Sequence, residues 1–342
     1  MSQALEERPF GQQKLSLAPM VDKSDRDWRW VMRRISRKTL LYTEMITAPA
    51  ALRGNRDRVL GFDPEEKPLV LQLGWDEADK LVDAAKIAED FGYDEINLNC
   101  GCPSDKVQQH DFGACLMARP QHVAHLVEAM ASATSLPITV KNRIGIRSQK
   151  RDISLERYED LLDFVDQVSQ AGCRKFTVHS RIAILEGLSP RENRDIPPLQ
   201  PDFVYRLKEE RPDFFIEING GYKSVEQIDD ALHHVDGVML GRVALDQPWL
   251  LKNADQKWFG ESTPSLTRRQ VLEAVWPYYE RRLSEGASRG LLVQPLMNLF
   301  AGEPGAKAWK RHLTEALSGP AKDFLAHASQ AVSFMDPKLL DS

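Results

Sequence analysis

Eight short apolar runs recur through residues 14–241, and their number and spacing limit the folds open to this chain. They are KLSLAP (14–19), TLLYTEM (39–45), PLVLQL (68–73), EINLN (95–99), PITVK (137–141), KFTVH (175–179), FFIEIN (214–219) and GVMLG (237–241). Each is rich in Leu or β-branched residues, as strands of a buried parallel sheet are. Amphipathic stretches separate them. DEADKLVDAAKIAEDFG (76–92) puts Leu81, Ala84, Ala85 and Ala88 on one helical face and closes on Gly92. LERYEDLLDFVDQVSQAG (155–172) has the same shape, and SVEQIDDALHH (224–234) opens with a Ser cap followed by an acidic residue. Eight strands interleaved with helices predict an α/β fold, the (β/α)₈ barrel. A doubly wound sheet is the alternative, and the count of eight favours the barrel.

Strand signals stop after Gly241. Residues 265–335 read as helices, so the chain is expected to divide into a barrel domain, 1–255, and an all-helical domain, 264–335. Gly, Ser and Pro cluster between them in KWFGESTPS. A length of 342 residues suits one large and one smaller domain. No run approaches 18 apolar residues, so no membrane span is expected. The opening MSQALEERPFGQQKLSLAP lacks an apolar segment flanked by positive charge, so no signal peptide is expected either. Four cysteines in such a chain make no disulfide framework, and a reducing cytoplasm is the expected home.

In a barrel, chemistry sits where the strands end. The residues there are Pro19-Met20-Val21, Glu44, Gln72, Asn99 to Cys102, Lys141 to Arg143, His179 to Arg181, Asn219-Gly220-Gly221 and Gly241-Arg242. Polar or Gly-rich groups at so many ends exceed what a structural barrel needs. A lone Gly-Gly is an ordinary turn. Two glycine sites at consecutive strand ends, one with Arg, make a phosphate cradle an equal alternative. Lys141 and His179 end adjacent strands, and a lysine at that mouth is costly unless an anionic ligand pairs with it.

Cys100 and Cys102 are one residue apart, which suits neither a zinc site nor a redox pair, so no metal is expected. A single thiol at a strand end remains, able to donate a proton or attack as a nucleophile. The chemistry alone does not choose between the two, and two small buried cysteines are also consistent with the sequence. Net charge is −5, yet residues 265–313 hold eight basic and four acidic residues. That contrast suits a helical arm gripping a polyanion, although a solvated helix face is the commoner outcome.

These same residues resemble the tRNA-dihydrouridine synthases. The shared motifs are APM (18–20), YTEM (42–45), RGN (53–55), LQLG (71–74), EINLNCGCPS (95–104), GACLM (113–117), TVKNRIG (139–145), TVHSR (177–181), NRDIPPL (193–199), INGG (218–221) and DGVMLGR (236–242). GLSPRENRDIPPL (187–199) is similar to the bacterial subfamily acting on positions 20 and 20a of the D-loop. The resemblance implies an FMN-binding TIM barrel followed by a helical tRNA-binding domain. It implies that Pro19, Met20, Val21, Gln72, Lys141, His179, Asn219, Gly220, Gly221, Gly241 and Arg242 hold the flavin. It assigns the acid to Cys102, which precedes Pro103, and matches Asn99 and Arg194 to residues contacting the uridine. Arg181 joins them as a substrate contact, and Lys307, Lys310 and Arg311 are candidate tRNA-backbone contacts. Cys100 departs from the family, which usually has an aliphatic residue there.

The implied reaction uses NADPH as a transient reductant, in keeping with the absence of a dinucleotide fingerprint, and delivers hydride through FMN to a uridine of tRNA. A monomer is expected. The polar loop GIRSQKRDISLE (145–156) has no assigned role. Rival readings are an FMN barrel acting on a free pyrimidine, a non-catalytic tRNA-binding module and a phosphate-binding barrel without flavin.

Overall fold

The computed structural model describes residue 10 and residues 12–342. The opening segment thus lies, but for Phe10, outside the described residues as far as Gly11. All eight apolar runs form strands: β1 (Leu15–Leu17), β2 (Leu40–Thr47), β3 (Leu69–Gly74), β4 (Glu95–Cys100), β5 (Ile138–Arg143), β8 (Lys175–His179), β10 (Phe215–Asn219) and β11 (Gly237–Leu240). They close into a parallel barrel in the order β1-β2-β3-β4-β5-β8-β10-β11. The seam is the β1–β11 pair, with Leu15 opposite Val238 and Leu17 opposite Leu240.

Helices between the strands follow the sequence signals. Ala78–Phe91 buries Leu81, Ala84, Ala85, Ile87 and Ala88 and ends at Gly92, whose φ of 82° is a left-handed cap. Ser224 accepts from Gln227 N to start Val225–Ala231. The stretch expected to be helical from 155 begins instead at Tyr158, after a capping box in which Asp160 accepts from Arg157 N. Leu155 ends a short strand, β7 (Ile153–Leu155). It pairs with β6 (Ile146–Ser148), and β6 pairs with β9 (Ala183–Ile184), making a small second sheet from the loop to which no role was assigned.

Alternation along the strands decides what fills the barrel. Ile96 and Leu98, Ile138 and Val140, Phe176 and Val178, and Ile216 and Ile218 are all buried. The residues between them carry Glu95, Asn97 and Asn99 on β4, Thr139, Lys141 and Arg143 on β5, Lys175, Thr177 and His179 on β8, and Glu217 and Asn219 on β10. These bond to one another across strands: Asn97 to Thr139, Thr177 to Glu217, Lys175 to Glu95 and Lys141 to Asn219. On the other side of the barrel, Ala18, Leu40, Tyr42, Val70 and Met239 form an apolar cluster against which Met20 packs. Half of this barrel is therefore filled by a polar network, where barrels usually hold branched aliphatic side chains.

The second compact unit comprises Asp22–Thr39, Asp63–Glu66 and Arg242–Ser342. This division differs from the one expected at 255–264. Helix Arg26–Ile35 stacks Trp30 on Tyr278 at 3.9 Å, and its Asp27 accepts from Tyr278 Oη at 2.8 Å and Arg282 Nε at 2.7 Å. Asp255 accepts from Ser36 Oγ and from the backbone N–H groups of Arg37 and Lys38. Such ties are between residues more than two hundred positions apart, which local composition does not show. Among the described residues, no helix is long and apolar enough to cross a membrane.

Candidate active site

The loop after β4 is held from three sides. Asn99 Oδ1 accepts from Gly101 N at 3.1 Å and Cys102 N at 3.0 Å. Arg143 Nε donates to Gly101 O at 2.9 Å. Ala114 N donates to Cys102 O at 2.9 Å. That last contact requires Gly113, whose φ is 63° and where a Cβ would lie 2.6 Å from Cys102 O. The GACLM motif is thus a backbone buttress for the cysteine loop.

Burial separates the cysteines that sequence chemistry left undecided. Cys100 is fully buried, and desolvation pushes its thiol well up. Cys173, also buried, is pushed up to about 12, and burial raises Cys115. Cys102 is half-buried, with its Sγ 3.6 Å from Ser104 Oγ. It is the accessible thiol of the four.

Positive groups gather at this mouth. Lys141 Nζ donates to Asn219 Oδ1 at 3.0 Å, and Asn219 Nδ2 donates to Met239 O at 2.8 Å. Desolvation, then the neighbouring Arg143, lowers Lys141 to about 8. Desolvation lowers Arg143 to about 10, with Arg194 and Arg181 adding to the effect. His179 is held well below its ordinary range by burial and then by Arg143, Lys141, Arg181 and Arg194, so its ring is neutral near pH 7. Its Nδ1 is sealed from solvent without a hydrogen-bond partner. An orphaned ring nitrogen among mutually repelling cations fits a ligand that carries negative charge and hydrogen-bonding groups.

The other expected flavin residues differ in exposure and in what they touch. Gln72 is fully buried, with Oε1 accepting from Asn99 Nδ2 and Nε2 donating to Asn97 Oδ1. Gly220 and Gly221 have φ of 121° and 86°, and a Cβ on Gly221 would lie 2.6 Å from Leu199 Cδ1. Their glycines therefore serve both the turn and the seating of Leu199. A Cβ on Gly241 would meet only Ala18, at 4.0 Å. Pro19 and Met20 are half-buried and Val21 is exposed. Arg242, exposed, opens the short helix after Gly241 and falls in the second unit.

Two residues without an assigned role organise the rest. Arg143 NH1 also donates to Ile182 O and Asn193 O, at 2.9 and 3.0 Å. Asn193 is fully buried; its Oδ1 accepts from Ile184 N and its Nδ2 donates to Ile184 O and Leu188 O. Asn193 thereby shapes the turn that carries the exposed Arg194, while Arg181 donates to Pro197 O further along the same loop. The period-two spacing from Lys141 to Arg143 was the available clue.

Residues 16–333 match the family model described as dihydrouridine synthase. The chain belongs to the dihydrouridine synthase family. Enzymes of this family are flavin-dependent oxidoreductases. A Synechocystis relative named tRNA-dihydrouridine(20/20a) synthase is 49% identical over 94% of this chain and 95% of its own. Proteins of the same name from Vibrio vulnificus and Pseudomonas aeruginosa are 48% and 47% identical, over 90% and 88% of this chain and 92% and 89% of theirs. A solved 2-naphthoyl-CoA reductase complex has TM-score 0.54 at 9% identity, covering 72% of this chain and 50% of that one, a likeness of fold.

In this dihydrouridine synthase the basic residues of the helical region are mostly engaged. Arg268 pairs with Glu303, Arg269 with Asp341, Arg281 with Asp63, and Arg282 with Asp27 and Glu285. Three of those partners, Asp27, Asp63 and Asp341, lie outside the 265–313 window, yet the unit as a whole keeps twenty Lys and Arg against seventeen Asp and Glu. Lys310 Nζ donates to Asn298 Oδ1 at 2.6 Å, and Arg311 lies 3.7 Å from Glu315. Lys307 and Arg311 are exposed, whereas Lys310 is half-buried.

Proposed function

We propose that this enzyme is a tRNA-dihydrouridine(20/20a) synthase that binds FMN, takes reducing equivalents from NADPH and reduces the C5=C6 bond of a D-loop uridine. The observation that carries the reading is one accessible thiol, Cys102, clamped by Asn99 and Arg143 beside a desolvated cationic mouth. FMN, when bound and reduced, supplies the hydride that goes to C6. Cys102 supplies the proton for C5, so hydride and proton together saturate the bond. Lys141 and the neutral His179 hold the flavin, with Gln72, Asn219, the glycine turns and the Pro19-Met20-Val21 segment around it. Asn99 fixes the acid's loop, and Arg194 and Arg181 meet the target uridine, which must leave the base stack to reach a barrel mouth.

The decisive test incubates purified protein, NADPH and an unmodified tRNA transcript, then maps dihydrouridine. Product at positions 20 and 20a supports the reading. Reduction of free uracil or orotate with tRNA untouched would replace it with the free-pyrimidine reading, and colourless protein that takes up no FMN would remove flavin chemistry altogether.

Lys141 gives a pH signature. Because its pKa is lower in the folded chain, the unfolded chain binds more protons between about pH 8 and 10, so this residue makes stability rise with pH there. Binding an anion has the opposite dependence. FMN affinity is expected to weaken by up to tenfold per pH unit above about 8 as the ammonium is lost. Fluorescence titration of FMN checks this, and Lys141→Met should flatten the profile.

The tRNA backbone meets Lys307 and Arg311 on this reading, with Lys310 contributing less because Asn298 holds it. Lys307→Ala with Arg311→Ala should weaken tRNA binding and lower the slope of log affinity against log salt by roughly 1–2. An unchanged slope would make these residues a solvated face only.

A further inference from the structure

A chain of hydrogen bonds runs from the catalytic loop into the depth of the barrel. Gly101 N and Cys102 N donate to Asn99 Oδ1, Asn99 Nδ2 to Gln72 Oε1, and Gln72 Nε2 to Asn97 Oδ1, the last two at 2.8 Å. Asn97 Nδ2 then donates to Thr139 Oγ1 at 2.9 Å, and Thr139 donates to Glu95 Oε1 at 2.7 Å. Lys175 Nζ completes the path with bonds of 3.1 and 2.9 Å to the two Glu95 oxygens. Gln72, Asn97 and Thr139 are fully buried, so no water competes for these groups.

The direction of this chain is forced from both ends. A backbone N–H can only donate, and an ionised carboxylate can only accept. Three amides and one hydroxyl lie between them, and reversing any one amide would set donor against donor and acceptor against acceptor. The Lys175 ammonium, itself only a donor, keeps Glu95 an acceptor. Thr139 has one proton to give, and the charged oxygen at 2.7 Å outcompetes the Ile96 carbonyl at 3.3 Å.

We propose that Thr139 and Glu95 are positioning residues for Cys102, fixing through Asn97, Gln72 and Asn99 the orientation of the loop that presents the acid. The proposal rests on the reading of Cys102 as proton donor. It assigns Gln72 a task besides any flavin contact, because its amide is the link between the barrel floor and the acid loop.

Glu95→Gln takes away the carboxylate that pairs with the buried Lys175 and is expected to compromise folding, so Thr139→Val is the test, with Thr139→Ser as the conservative variant. Amide hydrogen exchange should quicken about tenfold at Gly101 and Cys102 in the Val variant, stay unchanged in β10 and β11, and return to the wild-type rate with Ser. Uridine reduction should fall about tenfold in the Val variant and recover with Ser. Unaltered exchange at Gly101 and Cys102, or an increase spread evenly over the barrel strands, overturns the proposal. Wild-type protein that leaves tRNA unreduced overturns the functional reading instead, since the exchange rates judge the hydrogen-bond chain without any turnover.

Discussion

Cys102→Ala is expected to leave FMN content and flavin reduction by NADPH intact while slowing uridine reduction by about 10²–10⁴-fold, the usual worth of a general acid. The asymmetry between half-reactions follows from position. The thiol sits on the loop after β4, whereas Lys141 and His179 end β5 and β8. Stopped-flow flavin reduction and single-turnover tRNA reduction separate the two. Cys100→Ala should be mild, since that thiol is fully buried and raised by desolvation. A larger loss from Cys100→Ala than from Cys102→Ala would reassign the acid.

The second large effect belongs to Arg143→Met. The guanidinium, although lowered to about 10, remains charged at neutral pH and donates to three backbone carbonyls, at Gly101, Ile182 and Asn193. A thioether of similar length fills the space and satisfies none of them. Charged hydrogen bonds are worth about 1.5–3 kcal/mol each, so a loss of at least ~3 kcal/mol in stability is expected by denaturant titration. The Cys102 loop and the Arg194 turn lose their shared anchor, and tRNA reduction should fall by about 10²-fold or more even at temperatures where the variant is folded. Arg143→Lys should rescue little, because one ammonium cannot span three divergent carbonyls. Wild-type activity in either variant would deny Arg143 its bracing role.

The barrel was readable because strand periodicity is local. Each of the eight runs contains its own burial signal, and all eight became strands within a few residues of the expected ends. The hairpin formed by β6 and β7 was not, since three-residue strands are too short to show alternation against a polar background. The mouth residues Lys141, His179, Asn219 and Cys102 were also legible, as polar groups where buried runs end. What joins them was less so. Arg143 stood in the TVKNRIG motif two residues from Lys141, yet its partners come from segments 39 to 50 positions away. Which arginines of 265–313 are paired was not legible either, since Asp27, Asp63 and Asp341 come from outside that window. E-x-N-x-N at 95–99 carries the alternation of the polar interior within an otherwise apolar run.

The second unit draws on three separate stretches of chain, two of which interrupt the barrel sequence before β4. Cutting the gene after residue 255 would therefore leave two pieces of the second unit behind in the barrel sequence. It would deprive Asp27 of Tyr278 and Arg282, leave Trp30 without its stacking partner and take away the arginine that pairs with Asp63. The same threading restricts how lineages can exchange this region. A single recombination event cannot graft a foreign tail onto this catalytic half unless the recipient already carries matching surfaces at 22–39 and 63–66, so changes in the tail and in these early insertions should arise together.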